Sequence, residues 1–185
     1  MKKILLLVAG LFFLQMGYSQ ELTGVVPVEG KTANKLFDFA REWFALNFQS
    51  SKDEVKLADS SNRVFIVVGE RRAPVEIKGI RVTMKMSFTL RLEFKEGRFK
   101  YEFRDIDYRN AITNQSHDIE TFKECSTVSG LEAFYKRNSI PKFLEGKKEQ
   151  IAATNGKNYA VLKAMPQDVI DDLTHFLKQK KNENW

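Results

Sequence analysis

Between residues 82 and 103 hydrophobic and polar side chains alternate almost without error. Val82, Met84, Met86, Phe88, Leu90, Leu92 and Phe94 take every second position, with Thr83, Lys85, Ser87, Thr89, Arg91 and Glu93 between them. A period of two sends successive side chains to opposite faces of a β-strand, so this is one long strand with a single buried face. After Glu96-Gly97 the alternation resumes as Phe99, Tyr101 and Phe103 against Lys100, Glu102 and Arg104. A two-residue loop there sets Phe94 opposite Phe99, Leu92 opposite Tyr101 and Leu90 opposite Phe103. On the other face Glu93 meets Lys100 and Arg91 meets Glu102. A slip of one residue would oppose apolar to charged side chains throughout, so the pattern defines the register. The phase changes between Phe103 and Ile106, which predicts a bulge near Arg104-Asp105.

Upstream the period lengthens to that of a helix. Thr32 suits an N-cap, and Leu36, Phe39, Ala40, Trp43 and Leu46 or Asn47 follow at three-to-four spacing, with Phe37, Phe44 and Phe48 widening the stripe. Leu22 to Val28 reads as a short strand before it, and Gln49-Ser50-Ser51-Lys52-Asp53 as its end. Val55 and Leu57, then Val64 to Gly69, flank the turn cluster Asp59-Ser60-Ser61-Asn62 and predict a hairpin. Beyond Arg109 the periodicity fades. Asp118 to Glu124 suits a short helix or strand, Gly130 to Arg137 a helix, and Lys142 to Ala153 a helix interrupted by Gly146. Asn155-Gly156-Lys157-Asn158 reads as a turn. The last helix is expected to start with Pro166 in its first turn, to bury Val169, Ile170, Leu173, Phe176 and Leu177, and to end among Lys178, Lys180 and Lys181. Asn182 to Trp185 are expected to fray. The fold class is α+β, strand, helix, four strands, helix: a curved antiparallel sheet with helices on one face.

The N-terminus changes the setting. Lys2 and Lys3 precede the apolar run Ile4 to Leu14, too short for an ordinary membrane span, and Gly17 and Ser19 place small residues at the −3 and −1 positions of a cleavage site. Residues 1–19 therefore read as a secretory signal peptide cut before Gln20. No cysteine follows the apolar run to carry a lipid, so the expected product is a soluble exported chain, periplasmic or extracellular, without a transmembrane segment. The expected map is a leader at 1–19, a β-α-β4 core at 20–110, a partly helical elaboration at 111–165, and a C-terminal helix at 166–182 packed on the core. Loss of Lys2 and Lys3 lowers the formal charge from +6 to +4. With both signs interspersed, and export besides, nucleic acid is not an expected partner. Cys125 is the single cysteine, so no intramolecular disulfide forms; a small buried apolar residue is its expected role.

The order of elements resembles a known family. Its marks here are Ala40-Arg41-Glu42-Trp43 on the first helix and Gly97-Arg98-Phe99-Lys100-Tyr101-Glu102-Phe103-Arg104-Asp105-Ile106 on the last strand. Over roughly residues 22 to 110 the chain resembles domain of unknown function family 4468, exported bacterial proteins with a TATA-binding-protein-like (TBP-like) fold. The resemblance implies the curved sheet with helices on one face. It implies no activity, and a fold name carries no DNA binding with it.

Common enzyme signatures are absent: no His-Glu-x-x-His, no Gly-x-Ser-x-Gly, no phosphate-binding glycine loop, no zinc-spaced cysteines. His117 and His175 lie far apart, and no metal or cofactor is implied. The paired carboxylates Asp105 and Asp107, and Asp171 and Asp172, show neither the separation nor the raised pKa that acid catalysis needs. The expected site is the polar face of the sheet, with Lys85, Arg91, Lys100 and Arg104 as the binding residues and Phe65 and Val67 adding an apolar spot. Its expected partner is an envelope protein, a peptide or an anionic glycan; the sequence leaves oligomeric state open. Lys85→Ala and Arg104→Ala are expected to cost under about 0.5 kcal/mol, as ordinary surface changes do. The leading reading is a non-enzymatic domain that binds or scaffolds in the bacterial cell envelope. Two alternatives stay open: an envelope hydrolase or transferase with its site within residues 105–165, and a lipid or small-ligand carrier with Trp43, Phe44, Met84 and Met86 around the ligand.

Overall fold

Five antiparallel strands build the sheet, and two helices lie across one side of it. The computed structural model describes residues 22–48, 53–77, 79–140 and 147–180. The leader, the helix end at Gln49 to Lys52, the first part of the helix expected from Lys142, and the terminus from Asn182 lie outside the described residues. In chain order the elements are β1 (Leu22–Pro27), α1 (Ala33–Asn47), β2 (Glu54–Asp59), β3 (Val64–Ile77), β4 (Ile80–Lys95), β5 (Arg98–Asn110), α2 (Ile119–Glu124), α3 (Val128–Arg137) and α4 (Lys148–Gln179). The strand order is β1-β5-β4-β3-β2. Among the described residues no helix is long and apolar enough to cross a membrane.

The β4–β5 register is the one the alternation predicts: Phe94 opposite Phe99, Leu92 opposite Tyr101, Leu90 opposite Phe103, Glu93 opposite Lys100 and Arg91 opposite Glu102. Gly97 turns the chain at φ 69°. The predicted bulge is present, with the register shifting between Ser87 and Thr89 and Asp105 in the left-handed region at φ 53°. The inserted residue changes the parity of β5. Phe103 faces the helices, and past the bulge so does Tyr108, while Asp107 and Arg109 turn to the open face beside Ser87 and Lys85.

The core lies between the sheet and α1 with the C-terminal half of α4. Leu36, Phe37, Ala40, Trp43 and Phe44 of α1, Leu173 and Leu177 of α4, and Met84, Met86, Phe88, Leu90 and Leu92 of β4 are all buried in it. Thr32 caps α1 as expected, accepting a hydrogen bond from the Lys35 amide. The stripe is rotated from the expected one: Ala33, Leu36, Phe37, Ala40, Trp43 and Phe44 are buried, Phe39 is only partly buried and Leu46 faces out. Trp43, Phe44, Met84 and Met86, which only the carrier alternative would set around a ligand, are packed core.

Two expectations at the far end are corrected. The sequence breaks β3 at Gly69, but the strand runs on through Pro74 to Ile77. The Glu70 amide donates to Asp53 and the Glu76 amide to Asn158, so amides of this parity point away from β4. Pro74 shares that parity, and its missing N–H costs the ladder nothing. The second correction is α4, a single 32-residue helix that runs through both Asn155-Gly156-Lys157-Asn158 and Pro166. The polar residues stay helical because neighbouring backbone uses them. The Asn155 amide donates to the Cys125 carbonyl at 3.2 Å, and Asn158 both donates to the Glu76 carbonyl at 2.6 Å and accepts from the Glu76 amide at 3.0 Å. Asn158 thus occupies the β3 edge as a neighbouring strand would. Pro166 deprives the Leu162 carbonyl of its helical donor, and the Tyr108 hydroxyl donates to that carbonyl at 3.0 Å.

Candidate functional site

The sheet face away from the helices carries all four residues expected to bind. Lys85, Arg91, Lys100 and Arg104 share it with Thr89 and Ser87 of β4. Their pairing differs from the cross-strand one expected. Arg91 bonds Glu93 at 2.8 Å and Arg104 bonds Glu102, each two residues along its own strand; Arg72 with Glu70 and Arg109 with Asp107 repeat the arrangement. The largest departure is Lys85, which is only 6% exposed. Its ammonium lies 3.6 Å from the Glu70 carboxylate, itself buried, and in register it stands between Arg72 and Arg109. The long arginine side chains of the flanking strands are its neighbours, so it is a structural ion rather than a free probe of solvent. The apolar spot is corrected as well. Phe65 and Val67 are buried on the helix side, and it is Val64, Ile66 and Val68 that stand half-buried on the open face. On this face Arg72, Lys85, Arg91, Arg104 and Arg109 are each held in an ion pair, Lys100 stands exposed, and an aliphatic strip lies beside them.

A different site lies at the other end of the molecule, in the segment whose periodicity is weakest. Helices α2 and α3, the N-terminal half of α4 and residues Glu76, Ile77 and Gly79 line a cavity of about 500 Å³. Local chemistry positions each wall. Asp118 caps α2 and Thr127 caps α3. Gly130 allows their close approach, since a Cβ there would sit 1.9 Å from the Glu124 carbonyl oxygen. Arg137 grips the Glu124 carboxylate with two hydrogen bonds, 2.9 and 2.8 Å long, and this pair holds the carboxyl below its usual range. Lys148 of α4 ties to Glu132 at 2.6 Å.

The cavity wall is mostly apolar. Leu131 and Cys125, 2% and 4% exposed, lie deepest, and Phe122, Phe134, Tyr135 and Ile151 stand half-buried around the opening. Burial pushes the Cys125 thiol up, and the neighbouring Glu124 carboxylate adds to the shift, so the thiolate form is disfavoured. Tyr135 is also pushed up by burial. Polar groups from Lys147, Gln150 and Thr154 complete the rim. Of these residues the sequence singles out Cys125 alone, and as a small buried residue, which it is, rather than as part of a site. Their signal is faint: Phe122 and Cys125, Leu131, Phe134 and Tyr135, and Ile151 and Thr154 each recur at helical spacing, but on three short segments whose meeting the spacing cannot show.

A second hollow of about 390 Å³ adjoins, lined by Arg81, Lys157, Asn158 and Val161 with Pro74 to Glu76. Glu76 lines both spaces.

Comparison with known proteins supplies a family for the sheet. Residues 23–109 match the model of DUF4468, a domain of unknown function with TBP-like fold. The crystal structure of a DUF4468 family protein from Bacteroides ovatus is similar, with 10% identity, a TM-score of 0.53 and 89% of each chain covered. A TBP-like protein from Parabacteroides distasonis is 13% identical with a TM-score of 0.47, covering 85% of this chain and 95% of that one. No curated protein matches the chain. At 10% identity the first likeness is one of fold, and its coverage reaches past residue 109 into the helices.

Proposed function

We propose that the protein, whose residues 23–109 match the DUF4468 family model, is an exported, non-enzymatic binding domain of the bacterial cell envelope that holds an apolar small molecule in the cavity of its helical end. The observation that carries this reading is the cavity itself, about 500 Å³ and walled by Phe122, Leu131, Phe134, Tyr135 and Ile151. Small-molecule sites commonly run from roughly 300 to 1,000 Å³, apolar with a few polar groups at the edge. Four large apolar side chains stay half-buried at its opening, where closing on one another would remove their surface from water. The chemistry favours holding over reacting: burial disfavours the thiolate form of Cys125, the cavity's thiol, and a protonated thiol attacks poorly. The leader-like N-terminus supports the compartment.

Titration of the protein with the neutral dye N-phenyl-1-naphthylamine tests the site. Saturable fluorescence at one site is expected, and Ile151→Trp, which fills the cavity, should abolish it while far-UV circular dichroism and the melting transition persist. Non-saturating fluorescence, or the same affinity in a folded Ile151→Trp protein, would place the dye elsewhere and sink the reading.

A further inference from the structure

The cavity shares a wall with a charged neighbour, and that contact specifies the ligand more closely. The second hollow meets the first at Glu76, and across from it stand Arg81, the register partner of Glu76 on β4, and Lys157 on α4. Two cations against one carboxylate leave this hollow net positive. Among the described residues neither Arg81 nor Lys157 has a side-chain partner, whereas most other charges near the cavity do: Glu124 with Arg137, Lys148 with Glu132, Lys123 with Glu120. The floor between the two spaces is fixed, because Asn158 spends both ends of its amide on the Glu76 backbone. An apolar chamber and a cationic hollow thus adjoin at Glu76.

Resting on the cavity reading above, we propose that the two spaces together take a single-chain anionic amphiphile, its tail among Phe122, Leu131, Phe134 and Ile151 and its head group at Arg81 and Lys157. A tail alone gains apolar burial. A carboxylate or phosphate head adds charge-assisted hydrogen bonds to Arg81, whose planar fork matches either group, and a point-charge contact to Lys157. Glu76 opposes the head and weakens its hold, while the net positive charge of the hollow still favours an anionic head over a neutral one.

The test compares dodecanoate, dodecyl phosphate and dodecanol, each below its aggregation concentration, by calorimetric titration of the exported protein. Both anions are expected to bind one site at least tenfold more tightly than dodecanol. In the Arg81→Ala/Lys157→Ala double variant they should fall to the level of the alcohol, with dodecanol binding unchanged as proof of folding. Glu76→Gln should tighten the anions severalfold and leave dodecanol alone. Equal affinity of anions and alcohol in the unaltered protein, or an advantage that survives the double variant, overturns the head-group assignment while leaving the cavity reading intact. Failure of all three probes to bind overturns both. The ranking of carboxylate against phosphate then separates a fatty acid from a phospholipid-type head.

Discussion

Tyr108 is the residue at which strand, helix and core meet. Its hydroxyl replaces the donor that Pro166 withholds from the Leu162 carbonyl, deep enough that burial pushes the phenol up to about 12. Tyr108→Phe leaves that carbonyl buried without a donor and should cost about 1–3 kcal/mol. In a Pro166→Ala background the restored helical amide can serve the carbonyl, so the same substitution should cost markedly less; urea melts of the four proteins read the difference as a coupling. An equal cost in both backgrounds would mean that the hydroxyl does something other than stand in for the amide. The raised pKa has a definite sign. The folded state holds the neutral phenol, so nothing changes below about pH 10. Between pH 10 and 12 the unfolded chain ionises first, and this residue's share of stability falls by at most roughly 1.4 kcal/mol per pH unit. The Tyr108→Phe protein should lack that part of the alkaline decline. Lys85 makes the complementary case. Its alternation with apolar neighbours reads as solvent-facing, yet it is buried on Glu70, so Lys85→Ala should cost about 1–3 kcal/mol while Arg104→Ala stays within about 0.5 kcal/mol. Equal small losses in paired melts would return Lys85 to solvent.

Among the elements, α4 stabilises the sheet from its edge as well as from its face. Asn158 closes the backbone of Glu76 where β2 no longer reaches β3. Asn158→Ala would leave a part-buried edge amide and carbonyl without their partner, and a loss of about 1–2 kcal/mol with faster exchange of the β3 amides around Glu76 is the expected outcome of denaturant melts and hydrogen exchange. Protection unchanged at Glu76 would show that water, not Asn158, serves the edge. The same residue explains where sequence reading stops. In β4 and β5 each strand states its own two faces, and the apolar row of one fits the apolar row of the next, so register, bulge and hairpin are all legible from Val82 to Ile106. Asn155-Gly156-Lys157-Asn158 carries an equally strong local signal for a turn, and it is overruled by partners at Cys125 and Glu76 that lie 30 and 82 residues away. Pro166 is overruled in the same way by Tyr108. The cavity is hidden for this reason too: its walls are single turns of three helices, and each has a pattern too short to announce a shared interior. The polar face was legible as a face, but which of its charges are spent on one another depends on rotamers along the strand rather than on the cross-strand order.

Across the whole molecule α4 joins two regions that would otherwise be separate. Its C-terminal half buries Val169, Ile170, Leu173 and Leu177 in the core, and its N-terminal half offers Gln150, Ile151 and Thr154 to the cavity. A ligand that binds only the folded chain therefore stabilises the domain through one continuous helix. At a free concentration one hundred times its dissociation constant the gain is about 2.7 kcal/mol, which a shift in the denaturant midpoint would register. Such a ligand is of use only in the compartment where the protein works. If the charged and apolar stretch before Leu22 acts as the signal peptide it resembles, that compartment lies outside the cytoplasm, and mass analysis of protein recovered from the cell envelope or medium should begin at Gln20. A mature chain that still began at Met1 would put the protein in the cytoplasm or on a membrane by its leader, and the amphiphile it meets would have to be sought there.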